Sequence, residues 1–130
     1  MTSDDYWSGS IAGAVLADKI GREAGFTYPD LAFTAGLLHD FGKIVVSSYL
    51  ARPEVAATMT IADSQLSTLE AEQNILGTDH TLLGEALAVK WNLPKEIAGA
   101  ARWHHDPTGA PTATLRYLAT VISVADGATR

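Results

Sequence analysis

Apolar positions recur every three to four residues over most of the chain, which is the helical period. Ile11, Ala14, Val15, Ala17, Asp18 and Ile20 give a broad, mainly apolar face at near-helical spacing and predict a first helix over residues 4–24. Gly9, Gly13 and Gly21 fall inside it. Each costs roughly 1 kcal/mol against alanine in a helix interior, so small residues here point to close helix packing. Residues 25–29 read as a connection. Asp30 reads as the cap of a second helix carrying Leu31, Phe33, Leu37 and Leu38. Residues 44–50 are apolar and β-branched; helices on both sides favour a short buried helix over a strand.

Pro53 suits the first position of a further helix, through an alanine-rich stretch with Val55, Met59 and Ile61. Residues 64–75 carry Leu66, Leu69 and Ile75, with Glu72, Gln73 and Asn74 in a row, and Gly77 ends them. Asp79 caps a helix over 80–91 whose buried stripe is Leu82, Leu83, Ala86, Leu87 and Trp91. After the turn Asn92-Leu93-Pro94, a helix runs from Lys95 to His104 or His105, and a Pro/Gly loop follows over 106–111. The last helix, 112–128, places Leu115, Leu118, Val121, Ile122 and Val124 inside. Trp7, Trp91 and Trp103, all near helix ends, read as core anchors. No strand pair, repeat or linker emerges. The expected fold is all-α, one domain over residues 1–130 built from about seven short helices.

Composition narrows the function classes. With 47% hydrophobic and 18% charged residues among 130, the chain can bury a core. A net charge of −6, a pI near 5.0 and nine scattered Lys and Arg argue against nucleic-acid binding, which needs a basic stripe. The absence of cysteine excludes disulfides, zinc-thiolate sites and Cys nucleophiles, and fits a cytoplasmic location. No apolar run approaches a membrane span, so no membrane partner is expected.

The candidate chemistry lies in the histidines. There are four, His39, His80, His104 and His105, and each falls at the start or end of an expected helix. Helix ends of a bundle can converge on one spot. Asp40 and Asp126 are the carboxylates best placed to join them. In Ala35-Gly36-Leu37-Leu38-His39-Asp40-Phe41-Gly42-Lys43, adjacent His and Asp can reach one ion, and Lys43 supplies a point charge suited to phosphate. Gly42 reads as a helix stop that tolerates positive φ. Each residue has a plainer reading: His39-Asp40 as a polar last turn, His80 in an N-cap arrangement, His104-His105 at a helix C-terminus where the dipole favours a cation.

The stretch Phe33 to Lys43 resembles the signature of the HD superfamily of metal-dependent phosphohydrolases. Glu72, Ile75-Leu76-Gly77, Asp79-His80, Gly84, Trp91, Leu93-Pro94, Ile97 and His104-His105 are similar to the pattern of its HDOD branch, and Tyr6-Trp7-Ser8-Gly9-Ser10 to that family's Trp-x-His-Ser helix. The resemblance covers nearly the whole chain and implies a helical HD bundle lacking the family's N-terminal helices. It implies metal ligands at His39, Asp40, His80, His104, His105 and Asp126, with Asp40 and Lys43 as the catalytic pair of an active relative. The histidine expected on the first helix falls on Gly9, which cannot ligate.

One divalent ion rather than two is therefore expected, and a donor set without sulfur suits Fe, Mn, Ni or Zn. HDOD domains resemble HD-GYP cyclic-dinucleotide phosphodiesterases but are regarded as signalling-output modules without established catalysis. Gly9, and the lack of a Gly-Tyr-Pro triplet after His39-Asp40, favour a module that contacts a protein partner in a signalling pathway. The six retained ligand-type residues favour the alternative, a phosphohydrolase with a nucleotide or cyclic-dinucleotide ligand. An HDOD chain without the N-terminal helices is also expected to self-associate, through residues 11–20 or 115–124.

Overall fold

A computed structural model of the chain describes residues 3–56 and 68–129. Its helices are α1 (Ser3–Glu23), α2 (Pro29–Leu38), α3 (Gly42–Leu50), α4 (Pro53–Ala56), α5 (Thr68–Leu76), α6 (His80–Lys90), α7 (Lys95–Trp103) and α8 (Ala113–Thr129), with a 3-10 turn at Pro107–Gly109. No strand occurs among the described residues, so the class is all-α as expected. No described helix is long and apolar enough to cross a membrane. Residues 57–67, including Met59, Ile61 and Leu66, lie outside the described residues, so the extent of the helix expected after Pro53 and the start of the next are not part of the fold described.

Small residues set the packing. Ala14 and Ala17 of α1 and Ala32 and Ala35 of α2 are fully buried. A Cβ on Gly36 would stand 2.9 Å from Ala14 Cα and 3.3 Å from the Gly13 carbonyl oxygen, so α1 and α2 meet backbone to backbone. Ile97, Leu118, Val121, Ile122 and Ala125 join Ala17, Ala32 and Ala35 in the main core between α1, α2, α7 and α8. Burying each large aliphatic chain contributes about 1.5–3 kcal/mol. A second cluster, Tyr6, Phe41, Ala88, Ala98 and Ala101, lies beneath the turn between α2 and α3, and Leu38 and Leu93 pack against both.

The second cluster draws the functional residues together. A Cβ on Gly42 would overlap the His80 carbonyl oxygen and stand 3.0 Å from Gly84 N; one on Gly84 would stand 3.1 Å from Ala101 Cβ. The start of α3, the start of α6 and the C-terminal half of α7 are therefore in near-direct contact. That contact also corrects the role expected of Gly42. It opens α3 and is not among the positive-φ residues, so it is glycine for proximity and not for a helix stop.

Other expectations are corrected as well. The buried face of α6 is His80, Thr81, Gly84 and Ala88, whereas Ala86 is exposed and Trp91 is 56% exposed. Close approach to α3 and α7 selects the small residues for the inside and turns the leucines to its flanks. On α8, Ala125 is buried and Val124 is 55% exposed, because α8 lies close to α1 and α2 and only a small side chain fits there. Trp7 is 43% exposed and Trp103 only half-buried under the Arg102 guanidinium, 4.3 Å from its ring, so these tryptophans do not anchor the core. Short α3 buries Gly42 and Val46 but exposes Val45 and Tyr49. Pro29 begins α2 and Asp30 sits in its first turn, 3.2 Å from Arg22, without capping it.

Candidate metal centre

Four chain segments deliver polar side chains to one point. The turn after α2 carries His39 and Asp40, both buried. His39 Nδ1 lies 2.7 Å from the Gly36 carbonyl oxygen, to which it donates. Asp79 caps α6, accepting from the backbone N–H of Thr81 at 2.9 Å and Leu82 at 3.1 Å, and so fixes the first residue of that helix, His80. His80 is fully buried, with Nδ1 donating to Glu72 Oε1 at 2.5 Å and Oε2 at 3.0 Å. His104, the C-cap of α7, donates from Nδ1 to Ala101 O at 2.9 Å, with Ala100 O at 3.2 Å. His105 follows at the exposed edge, and Asp126 reaches in from α8.

The donors meet around Asp40. His80 Nε2 is 3.2 Å and His104 Nε2 3.1 Å from Asp40 Oδ1; His39 Nε2 is 3.6 Å from Asp40 Oδ2 and 3.4 Å from Asp126 Oδ1. His80 Nε2 and His105 Nε2 face each other at 3.1 Å. Lys43 Nζ, in the first turn of α3, is 3.3 Å from Asp40 Oδ2. Two groups result, Asp40, His80, His104 and His105, and His39, Asp40 and Asp126; within each the ligating atoms lie within 4.8 Å of one another. All six residues expected from sequence to ligate are thus brought together, with Asp40 common to both groups.

The tautomers explain why this arrangement suits a cation. In His39, His80 and His104 the proton on Nδ1 is held by an oxygen acceptor. Each Nε2 then presents a lone pair to its neighbours, the arrangement that orients histidines on a metal. His39 Nε2 and His104 Nε2 are sealed from solvent and lack the alignment of a hydrogen bond despite their nearby carboxylates. Lone pairs aimed at carboxylate oxygens are repulsive until positive charge stands among them. The donor set, imidazole nitrogen and carboxylate oxygen, fits a divalent transition ion.

The electrostatics agree. Burial works against the charged form of Asp40, but the imidazoles of His104 and His80 and the charge of His39 outweigh it, so the carboxyl stays ionised well below its ordinary range. Burial also opposes charge on His39 and His80. Asp126 and Asp40 overcome it at the first, Asp40 and Glu72 at the second, and both are raised. Burial holds His104 down despite Asp40. Burial and the neighbouring His104 and His80 lower His105 to about 4. The two raised rings are those held against carboxylates, His39 by Asp126 and Asp40 and His80 by Asp40 and Glu72.

Two residues escaped the sequence reading of the site. Glu72 is buried against His80. The signal was present, since Glu72 lies three residues from both Leu69 and Ile75, an acid in the middle of an apolar stripe. Tyr6 is buried beside the site; burial, against the Ser10 hydrogen bond and together with the Asp40 charge, pushes its phenol up to about 12. Gly9, where the resemblance expects a histidine, is exposed, and a Cβ there would meet nothing within 4 Å.

This helical bundle gathers a His-Asp pair, three further histidines and a late aspartate into groups that could hold a metal ion. The HDOD domain family model matches residues 1–107, and the chain belongs to that family. Asp126 lies beyond the matched residues. The crystal structure of an HDOD domain protein of unknown function from Geobacter sulfurreducens superposes with a TM-score of 0.80 at 27% identity, covering 95% of this chain and 41% of that one. A protein from Shewanella amazonensis SB2B described as "Putative phosphohydrolase" shares the fold with a TM-score of 0.82 at 24% identity, over 99% of this chain and 46% of that one. An uncharacterized protein of Treponema pallidum (strain Nichols) is 33% identical over 99 residues, 69% of this chain and 18% of its own length. The chain thus spans less than half of either solved chain and under a fifth of the Treponema protein.

Proposed function

We propose that this chain is a cation-holding HDOD module that acts in the cytoplasm by contact with a protein partner in a signalling pathway, and that it does not turn over a phosphate ester. The carrying observation is enclosure. The Nε2 atoms of His39 and His104 and the Oδ1 of Asp40 are shut off from solvent. Structural metal sites are closed by protein ligands, whereas catalytic ones keep a position open for water and substrate. Lys43 adds to this, since its ammonium lies against Asp40 at 3.3 Å, spent on the carboxylate and drawn away from any phosphate.

His80, His104 and Asp40 would hold one ion, with His105 closing its outer side. His39, Asp40 and Asp126 offer only three donors for a second, and Gly9 adds none, so a single Fe, Mn, Ni or Zn ion is the proposed load. Bound there, the ion would supply fixed positive charge that joins the turn after α2 to the ends of α6 and α7.

A second reading is supported by the exposed edge at His105. On it the same site is a metal-dependent phosphohydrolase acting on a nucleotide or cyclic dinucleotide. Metal ions contribute there by polarising a phosphoryl oxygen and lowering the pKa of water. Asp40 would orient the histidines, and Lys43 would have to swing from Asp40 to the phosphate. Assays on bis-p-nitrophenyl phosphate and cyclic dinucleotides with Mn, Fe, Ni or Zn decide between them. No turnover is expected; turnover by wild type that vanishes in Asp40→Ala would establish the enzyme.

A further inference from the structure

Resting on the reading of the site as a cation centre, we propose that Glu72 is its positioning residue and that it couples the docking of α5 to the binding of a divalent cation. Glu72 is 3% exposed. Among the described residues its partner is His80 alone, which it holds twice: Oε1 lies 2.5 Å from the ring Nδ1 and 3.2 Å from the main-chain N. A carboxylate removed from water is costly unless fully paired, and among the described residues no guanidinium or ammonium satisfies this one. Its hydrogen bonds fix His80 in the tautomer whose Nε2 lone pair points at Asp40 Oδ1 and His105 Nε2. A carboxylate behind a metal-binding imidazole also raises the basicity of the ligating nitrogen.

α5 packs only sparsely on the other described helices. Gln73, next to Glu72, donates to the cap residue Asp79 at 2.6 Å. Both links therefore end at the first turn of α6, beside the cluster. Positive charge shared with His80 Nε2 strengthens the hydrogen bond from Nδ1–H to Glu72. Cation binding thus tightens α5, and by reciprocity a docked α5 tightens cation binding. α5 becomes the element whose order reports occupancy of the site, the kind of change a partner protein can read.

The test uses the full chain, with ZnCl2 as probe, in calorimetry and in amide hydrogen exchange of residues 70–76. Zn2+ is expected to slow exchange in α5 of wild type at least about tenfold. Glu72→Ala should weaken Zn2+ about 10–100-fold and abolish that protection. Glu72→Gln keeps an acceptor for both His80 N–H groups and should lose less affinity, which keeps the test open if the alanine variant does not fold. Wild-type Kd in both variants, or α5 exchange indifferent to Zn2+ in wild type, overturns the coupling while leaving the cation centre standing. A wild type that binds no Zn2+ overturns both.

Discussion

Gly42→Ala tests the packing that assembles the centre. A methyl group at position 42 would overlap the His80 carbonyl oxygen and come within 3.0 Å of Gly84 N. Both obstacles are backbone atoms of α6, so no rotamer change relieves them; α3 and α6 must separate. Overpacking of this kind costs about 1–3 kcal/mol, more where backbone must move. The small gain from replacing glycine early in a helix, at most about 1 kcal/mol, offsets part of it. A net loss of about 2 kcal/mol is expected. With unfolding entropy near 2.1 cal/mol/K per residue, a chain of 130 residues loses about 0.27 kcal/mol per degree. The Tm should therefore fall by about 7 °C. Thermal and urea unfolding followed at 222 nm give both numbers. The separation also carries His80 away from Asp40, so affinity for Zn2+ should fall alongside stability. A Gly42→Ala protein within 0.5 kcal/mol of wild type, with unchanged affinity, would refute the claim that this contact builds the site.

Gly9→His places a ligand type where the first helix has open space, and should raise metal stoichiometry without loss of stability; adding Asp40→Ala should remove the gain, as elemental analysis would read. Asp79→Ala should cost about 1 kcal/mol at neutral pH. The Thr81 hydroxyl, Gln73 and the Leu82 and Thr81 backbone N–H groups, against opposing burial, lower the Asp79 pKa; its contribution is therefore present above about pH 4 and lost as pH falls below that, so urea unfolding curves of the two proteins should converge in acid. Ile11 and Val15 on α1, and Tyr117 and Val124 on α8, expose large apolar surface, and sedimentation equilibrium should show a dimer; a clean monomer at high concentration would count against it.

The histidines were legible because all four sit at helix ends, and helix ends are marked by caps and breakers. Asp79 capping His80 is the plainest case, and the bundle class followed from the helical period. The faces of the helices were less legible. On α6 the leucines outweigh the small residues in any hydrophobic count, yet proximity to Gly42 and Ala101 puts Gly84 and Ala88 inside. That is a property of two segments distant in sequence, invisible within one helix. Gly42 was misread for the same reason, since local chemistry offers a helix stop while the deciding neighbour, His80, is 38 residues away. Glu72 reads in the sequence as one of three polar residues in a row; its place three residues from both Leu69 and Ile75 marks it as the one on the apolar face, while its pairing with His80 follows only from the fold.

The most direct test of the cation centre is metal analysis of the chain purified without chelator, beside Asp40→Ala, the change that removes the carboxylate common to both ligand groups. One equivalent of a single transition metal in wild type, lost in Asp40→Ala and restored to wild type by dialysis against Fe, Mn, Ni or Zn, is the predicted result. Wild-type protein that stays metal-free through such dialysis while its fold is intact would contradict it.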